Sequence, residues 1–295
     1  MSKRMMGSVL LLFASIIWGA AFVAQSVGMD YVGPFTFQAS RSFLGSLVLL
    51  PVIAVLDKRG NPKKPVRAAE KKYLWLSGLG CGLLLFASCS LQQIGLMHTT
   101  AGKSGFITSL YIILVPITGL FIGKRVRPWV WISVGLAIVG MYLLCGTGGM
   151  SFGKGEWLTL GCALAFTFHI LLIDRVSPKV DSVRLSSLQF LVCGAISAVV
   201  MFLTETPSLS GIAHCWLPIA YTGILSYGVA YTFQIIGQSH TEPAIASLLM
   251  SLESVFSVLF GWLLLQEALT PLELLGCALV FGGVVLAQMP EKRPQ

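Results

Sequence analysis

Charged residues are scarce in this chain of 295 residues: they make up 11% of the sequence, whereas soluble domains usually carry about 25%. Apolar residues make up 55%, and the mean hydropathy is +0.82. Almost no polar sequence remains between the apolar runs, which excludes a sizeable soluble domain. Runs such as 132–144, 185–203, 247–265 and 274–289 are typical of bilayer-spanning helices, which need about 20 mostly apolar residues. The chain is therefore predicted to be an integral membrane protein.

Motifs of nucleotide, metal and redox chemistry are also absent from the sequence. There is no Walker motif and no H-E-x-x-H cluster, so we predict neither an ATP-driven pump nor a metal-dependent enzyme. The seven cysteines contain no C-x-x-C pair, and those inside apolar runs are expected to pack as small hydrophobic side chains. The net charge of +8 does not indicate nucleic acid, because the basic residues lie in short loops between apolar runs.

The apolar runs divide the chain into ten predicted membrane spans. They cover roughly residues 6–26, 34–56, 73–96, 101–122, 129–145, 155–173, 185–203, 215–237, 243–265 and 271–289. If the N-terminus is cytoplasmic, 17 of the 20 Lys and Arg residues fall on cytoplasmic segments, as the positive-inside rule expects. The three others are Lys103, Lys154 and Arg41. We therefore predict both termini in the cytoplasm.

One phrase occurs twice in the chain, 142 residues apart. Gln92-Gln-Ile-Gly-Leu-Met-His-Thr99 returns as Gln234-Ile-Ile-Gly-Gln-Ser-His-Thr241, with five of eight positions identical. The phrase ends the third and the eighth predicted span, so each half of the chain holds five. An odd number of spans per half inverts the second copy relative to the first. The sequence therefore predicts two inverted five-helix repeats, residues 1–148 and 149–295.

A set of short motifs is spread over the predicted spans, namely Trp18-Gly19 with Phe22, Pro34 followed by Arg41, Pro243–Leu249, Phe260–Thr270 and Leu275-Gly276. Together these motifs resemble the EamA family of the drug/metabolite transporter superfamily. The resemblance covers essentially the whole chain, with Gln266 standing where the family often has glycine. It implies an all-α fold of ten helices in two inverted halves, which moves small metabolites across the cytoplasmic membrane, often outwards.

Glu253 is the main candidate for chemistry, because it lies near the middle of the ninth predicted span and an ionisable group there is costly. Helical spacing places it on one stripe with Met250 and Ser257. It could line a cavity, where it would bind a cationic group or carry a coupling proton. Alternatively it only holds neighbouring helices together. Tyr111 matches Glu253 across the 142-residue offset and is expected on the opposite side of the cavity.

Arg41 is the second candidate, about seven residues into the second span, or roughly 10 Å deep. Its planar guanidinium could bind a substrate carboxylate or phosphate. It could also pair with Glu253. A structural or gating role is favoured, since the resemblance implies an arginine here whatever the substrate.

Two glutamines and three aromatic residues complete the candidate set. Gln234 shares a helical stripe with Tyr227 and Tyr231, and Gln92 is its counterpart in the first half. These residues could form an amphipathic small-molecule site or simply bond helices together. Trp18 is either a cavity wall or a packing wedge against Gly19. Gln38, Gln189 and His169 are weaker candidates.

These observations favour a secondary transporter, an exporter of small metabolites, that works by alternating access around a midplane cavity. A channel or facilitator is the alternative, and a membrane-embedded enzyme is a more distant one. The expected partners are a small amphipathic or aromatic substrate, the lipid bilayer and a coupling proton, and a homodimer is compatible with them. No cofactor, metal or nucleic acid is expected.

Overall fold

The computed structural model describes residues 3–59, 68–99, 101–124, 126–144, 153–265 and 270–288. All regular secondary structure in these ranges is helical. The α-helices are α1 Lys3–Met29, α2 Pro34–Arg59, α3 Ala68–Leu96, α4 Ala101–Thr108, α5 Tyr111–Phe121, α6 Pro128–Leu144, α7 Lys154–Val176, α8 Ser182–Thr204, α9 Leu209–His214, α10 Trp216–Ala220, α11 Thr232–Gln238, α12 Pro243–Met250, α13 Leu252–Leu265 and α14 Pro271–Gln288. A π-helical segment, Tyr221–Tyr231, joins α10 to α11, and a short 3₁₀ turn, Ser177–Lys179, follows α7. Residues 266–269 of the motif Phe260–Thr270, which include Gln266, lie outside the described residues.

Proline and carboxylate residues mark where several helices begin. Four of them, α2, α6, α12 and α14, begin at a proline, whose fixed backbone angle and missing N–H suit the first helical position. Asp181 caps α8 by accepting a hydrogen bond from the backbone N–H of Arg184 at 2.8 Å. Local sequence signals therefore account for many of the helix starts.

Within the described residues, nine helical stretches are long and apolar enough to cross a membrane. The helix Pro128–Leu143 is apolar but shorter. Large apolar side chains such as Phe121, Leu203 and Leu209 are exposed on the outside, while many serine, threonine and glutamine side chains are buried. This distribution fits a lipid-facing surface. The chain is a multi-pass membrane protein.

Two of the predicted spans are locally interrupted, although the backbone keeps right-handed helical angles at Leu110 and Ser251. The fourth consists of α4 and α5, which are separated at Ser109-Leu110, and the ninth consists of α12 and α13, which are separated at Ser251. Ser109 and Ser251 are 142 residues apart. Irregular backbone within a membrane is tolerated where it is buried in protein or lines a cavity, so these breaks point to the interior.

The repeated phrase packs two helices closely against their neighbours. A Cβ atom added to Gly237 would lie 2.7 Å from Leu11 Cγ and 3.0 Å from the carbonyl oxygen of Gly7, both in α1. A Cβ atom added to Gly95 would lie 2.6 Å from Thr159 Oγ1 and 3.2 Å from the carbonyl oxygen of Gly155, both in α7. Only glycine allows these backbones to approach so closely. The glycines of the phrase thus have a packing role.

The helices surround a central space. α1 packs against α11, α13 and the π-helical segment, α2 packs against α8, α3 packs against α7 and α8, and α6 packs against α14. The broken helices α4–α5 and α12–α13 contact each other between these pairs. The centre of the bundle is therefore bounded by both breaks and by the π-helical segment.

Candidate functional site

A cavity of about 40 Å³ lies at the centre of the helices. Its walls come from α1, α2, α3, α5, α7, α11, α12, α13 and the π-helical segment. Eight of the nine residues singled out from the sequence line it, namely Trp18, Arg41, Gln92, Tyr111, Tyr227, Tyr231, Gln234 and Glu253. Ser257 does not, because α1 closes against α13 one turn beyond Glu253. A Cβ atom on Gly19 would lie 2.8 Å from the backbone nitrogen of Ser257.

Glu253 and Tyr111 meet directly across the two helix breaks. The Tyr111 hydroxyl donates a hydrogen bond to Glu253 Oε1 at 3.0 Å, and both side chains are buried. The hydroxyls of Ser109 and Ser254 are 2.7 Å apart beside them. Glu253 lies in the first turn of α13, where the helix dipole favours a negative charge. A carboxyl group is thus held between the two broken helices with one oxygen bonded by a phenol.

Arg41 is held by two amide oxygens. Its Nη1 donates to Gln25 Oε1 at 2.5 Å, its Nε donates to Gln38 Oε1 at 2.9 Å, and its Nη2 also bonds Gln38 Oε1. The guanidinium carbon lies 5.0 Å from the centre of the Tyr227 ring and 5.4 Å from that of Phe37, which are cation–π distances. Arg41 and Glu253 do not form an ion pair. The suggested pairing of these two residues is therefore wrong, because the guanidinium of Arg41 is held by the amide oxygens of Gln25 and Gln38.

An aromatic wall faces these two groups. Trp18 packs edge-to-face on Tyr231, with ring centres 4.8 Å apart, and Tyr231 packs on Tyr227 at 5.2 Å. Gln38 Nε2 donates to the Tyr227 hydroxyl at 3.0 Å, and that hydroxyl donates to Cys89 Sγ at 3.4 Å. Tyr227 and Tyr231 both belong to the π-helical segment, and such segments are frequent at functional sites. Trp18 therefore forms part of the cavity wall.

The equivalent glutamines of the repeated phrase have different partners. Gln92 Nε2 donates to Thr108 Oγ1 at 3.3 Å, so that side chain bridges two helices. Gln234 Oε1 is buried and has no hydrogen-bond partner, as is true of Trp18 Nε1. His169 Nε2 lies 3.0 Å from Gln189 Oε1, so these two weaker candidates bond each other. Gln234 and Trp18 thus each bring a buried polar atom without a partner to the cavity lining.

Sequence reasoning missed Gln25. This residue lines the cavity and binds Arg41, 16 positions along the chain. Its polar side chain near the end of an apolar run was the available signal, but no spacing rule connects it to a residue on another helix. The sequence analysis also did not single out three further cavity-lining residues, Cys89, Phe166 and Ser226.

The described residues contain no group of three or more His, Cys, Asp or Glu that could hold a metal ion.

Comparisons with known proteins agree with the geometry. The model of the EamA-like transporter family matches residues 5–146 and again residues 153–289. An uncharacterized transporter of Archaeoglobus fulgidus is 31% identical over 290 residues, covering 97% of this chain and 87% of the relative. The uncharacterized transporter YoaV of Bacillus subtilis is 21% identical over 293 residues, covering 97% of each chain.

Two further matches cover most of the chain. The chloroplastic WAT1-related protein At3g02690 of Arabidopsis thaliana is 24% identical, over 93% of this chain and 67% of the relative. A solved structure, described only as that of a protein, has a TM-score of 0.78 at 23% identity and covers 96% of each chain, which shows a common fold. The family and the names of these relatives point to a transporter of small molecules in the cell membrane and not to an enzyme. The resemblance seen in the sequence is confirmed, and the chain belongs to the EamA-like transporter family.

Proposed function

We propose that the protein is a secondary transporter that exports a small metabolite across the cytoplasmic membrane by alternating access, with the central cavity as its binding site. The observation that carries the proposal is the contact of Tyr111 with Glu253 beside the local interruptions of their two helices. Secondary transporters commonly place their substrate and ion sites where the two repeats meet near the midplane.

Two inverted repeats, residues 1–148 and 149–295, are part of this proposal. The family model matches once in each half. A two-fold axis exchanges equivalent residues, so an equivalent pair can touch only where the axis passes between its members. Tyr111 and Glu253 are 142 positions apart and in contact. Cys89 and Tyr231 are also 142 positions apart, and their Sγ and Oη atoms lie 3.7 Å from each other. Both contacts lie at the cavity, which supports an axis through it.

The glycine contacts support the same arrangement. Gly237 lies against Gly7 much as Gly95 lies against Gly155. The first and third helices of each half thus contact their neighbours in the other half through equivalent residues. With ten spans and both termini in the cytoplasm, the distribution of Lys and Arg follows the positive-inside rule.

Polar contacts join α2 and α8 at both of their ends. At one end, Arg184 forms an ion pair with Asp57. At the other, Glu205 accepts hydrogen bonds from the backbone N–H of Phe35 and of Thr36, both at 2.8 Å. Asp57 and Glu205 are 148 positions apart, as are Thr36 and Arg184. In the proposed topology the first contact is cytoplasmic and the second is external, so alternating access would break them in turn.

Two more ion pairs lie on the proposed cytoplasmic side. Lys124 pairs with Asp174, and Arg127 Nη2 lies 2.5 Å from Glu242 Oε1. Both pairs border a second, more open cavity. In an exporter this cavity would be the cytoplasmic entrance to the central site, and these pairs would separate as the entrance opens.

Efflux and uptake of a metabolite panel in proteoliposomes test the proposal, with and without an imposed pH gradient. A carrier should exchange labelled for unlabelled substrate across the membrane, a property that a channel or facilitator lacks. If no panel member is exchanged, or if flux rises linearly with concentration without saturation, alternating access is refuted. Flux measured in both vesicle orientations decides the direction.

Matched variants connect this flux to the cavity. Tyr227→Phe removes one hydroxyl from the wall, whereas Tyr142→Phe changes an exposed tyrosine on α6. We expect the first variant to raise the substrate KM and the second to leave transport unchanged. Equal behaviour of the two variants would argue against this cavity as the binding site.

A further inference from the structure

We propose that the transported molecule carries a single anionic carboxylate that binds to Arg41, and that its binding is accompanied by the uptake of one proton at Glu253. This inference rests on the proposed transport function and names the substrate class of the same cavity. It makes the metabolite and the proton move together in the same direction.

The positive charge of Arg41 has no negative counterpart in contact with it. Its hydrogen-bond acceptors are the amide oxygens of Gln25 and Gln38, and its faces meet the rings of Tyr227 and Phe37. Neutral amides orient a guanidinium without cancelling its charge. A buried charge is normally paired, so a cavity that leaves this one unpaired is suited to an incoming anion.

Arg41 also retains free donors. A guanidinium has five N–H groups, and three hydrogen bonds occupy one each on Nε, Nη1 and Nη2. One N–H remains on each terminal nitrogen. Each of these N–H groups can donate a hydrogen bond to a carboxylate oxygen. A purely structural arginine, which would only tie α2 to α1, has no need of a cavity beside these donors.

Among the described residues that line the cavity, Arg41 and Glu253 are the two with a side chain of the Asp, Glu, Lys or Arg type. The titratable groups facing Glu253 are Tyr111 of α5, which donates a hydrogen bond, and Cys162 of α7. Among the described residues of α1, α4, α6, α12 and α14, none that titrates lines the cavity. At a pH that ionises Glu253, the empty cavity carries one negative charge on Glu253 and one positive charge on Arg41, and the two charges balance.

Adding a monoanion to this balanced cavity leaves one negative charge in excess. In a medium of low dielectric an excess charge is costly, and a proton bound to a Glu253 carboxylate oxygen removes it, while the Tyr111 hydroxyl still donates to Oε1. Anion and proton therefore favour each other's binding, and the linkage is reciprocal. A metabolic acid that accumulates inside the cell would leave with its proton, driven by its own gradient.

The aromatic side chains of the cavity favour an apolar tail on the substrate. Trp18, Phe22, Phe166, Tyr227 and Tyr231 line the cavity around the two charged residues. Stacking on these rings suits an aryl or branched apolar tail. An amphipathic carboxylate matches both surfaces.

Isothermal titration calorimetry of the purified full-length protein tests this inference. The probes are three matched series of aryl-alkyl compounds, headed by 3-phenylpropionate, 3-phenylpropionamide and 3-phenylpropylammonium, which differ only in the head group. Titrations in two buffers of different ionisation enthalpy count the protons taken up. We expect a carboxylate to bind roughly 10- to 100-fold more tightly than its amide, the range of a charge-assisted hydrogen bond, and to take up about one proton in the pH range where empty-site Glu253 is ionised.

Two isosteric variants separate the two parts of the inference. Gln25→Glu sets a carboxylate against Arg41 and should reduce carboxylate affinity roughly 10- to 100-fold, while thermal unfolding verifies that the variant folds. Glu253→Gln should keep carboxylate binding and lose the proton uptake. The inference is overturned if the amide or ammonium series binds as tightly, if carboxylates bind without proton uptake, or if none binds. Exchange of an amide or ammonium compound in liposomes would leave the proposed transport function intact, whereas absence of exchange by every compound would remove both.

Discussion

The contact of Glu205 with the start of α2 should control access to the cavity from its side of the membrane. The perturbation is Glu205→Ala, which removes a carboxylate that accepts two backbone N–H bonds at 2.8 Å and one from the Thr36 hydroxyl at 2.6 Å. Without it the joined ends of α2 and α8 lose their polar connection. We expect the conformation that is open on this side to become more populated.

The hydrogen bonds of Glu205 and its exposure indicate the size of this shift in population. A hydrogen bond to a charged group contributes about 1.5–3 kcal/mol, and water replaces part of it at a half-buried site, so roughly 2 kcal/mol or about 30-fold in population is expected. The Asp57–Arg184 pair at the opposite ends is 35% and 36% exposed. Exposed pairs contribute about 0–1 kcal/mol, so Asp57→Ala should shift the population about fivefold at most.

Cys89 provides the assay, because it lines the cavity and is buried. In a variant that retains only this one of the seven cysteines, a charged, membrane-impermeant thiol reagent is added to one side of sealed vesicles at a time. Glu205→Ala should speed labelling from the external side and Asp57→Ala, more weakly, from the cytoplasmic side. Glu273→Ala is the matched control, since Glu273 caps only its own helix through Thr270. Faster labelling from the wrong side, or equal effects of Glu205→Ala and Glu273→Ala, would refute the reasoning.

Three other changes have defined outcomes. Gly237→Ala should lower the thermal unfolding temperature, because overpacking against Leu11 and the α1 backbone costs about 1–3 kcal/mol. Gly282→Ala is the control and should leave the unfolding temperature unchanged, because its Cβ would meet nothing within 4 Å. Glu253→Gln should remove the pH dependence of substrate exchange while exchange persists, and an unchanged pH profile in proteoliposomes would exclude Glu253 as the proton carrier. Gln38→Leu should raise the substrate KM, since it frees Arg41 and the Tyr227 hydroxyl; an unchanged KM would show that their orientation is irrelevant.

The spacing of the repeated phrase identified the central pair of the site. The 142-residue offset of the repeated phrase paired Tyr111 with Glu253, and the structure places their side chains in contact at 3.0 Å. The contact is what a two-fold axis passing between these two residues would produce. The functional roles of these residues and the inverted arrangement of the halves stay predictions.

Regular helical spacing was a weaker guide at the broken helices. The stripe drawn through Met250, Glu253 and Ser257 crosses Ser251, where α12 ends and α13 begins, and Ser257 lies beyond the cavity. The break at Ser109-Leu110 and the π-helical turns around Tyr227 carry neither proline nor an unusual glycine pattern. Such irregularities arise because neighbouring helices satisfy the displaced backbone groups, and a single helix's sequence does not record them.

The sequence by itself determined that this is a multi-pass membrane protein with an internal repeat, and it marked eight of the sixteen residues that line the cavity. It could do so because hydropathy, charge bias and repetition are properties of the chain read in order. Only the tertiary structure decided how the cavity's charges are satisfied: Arg41 binds the amides of Gln25 and Gln38, and Glu253 binds the hydroxyl of Tyr111. Polar groups in a membrane interior must find partners there, and several helices supply the candidates, so only their packing selects which groups meet.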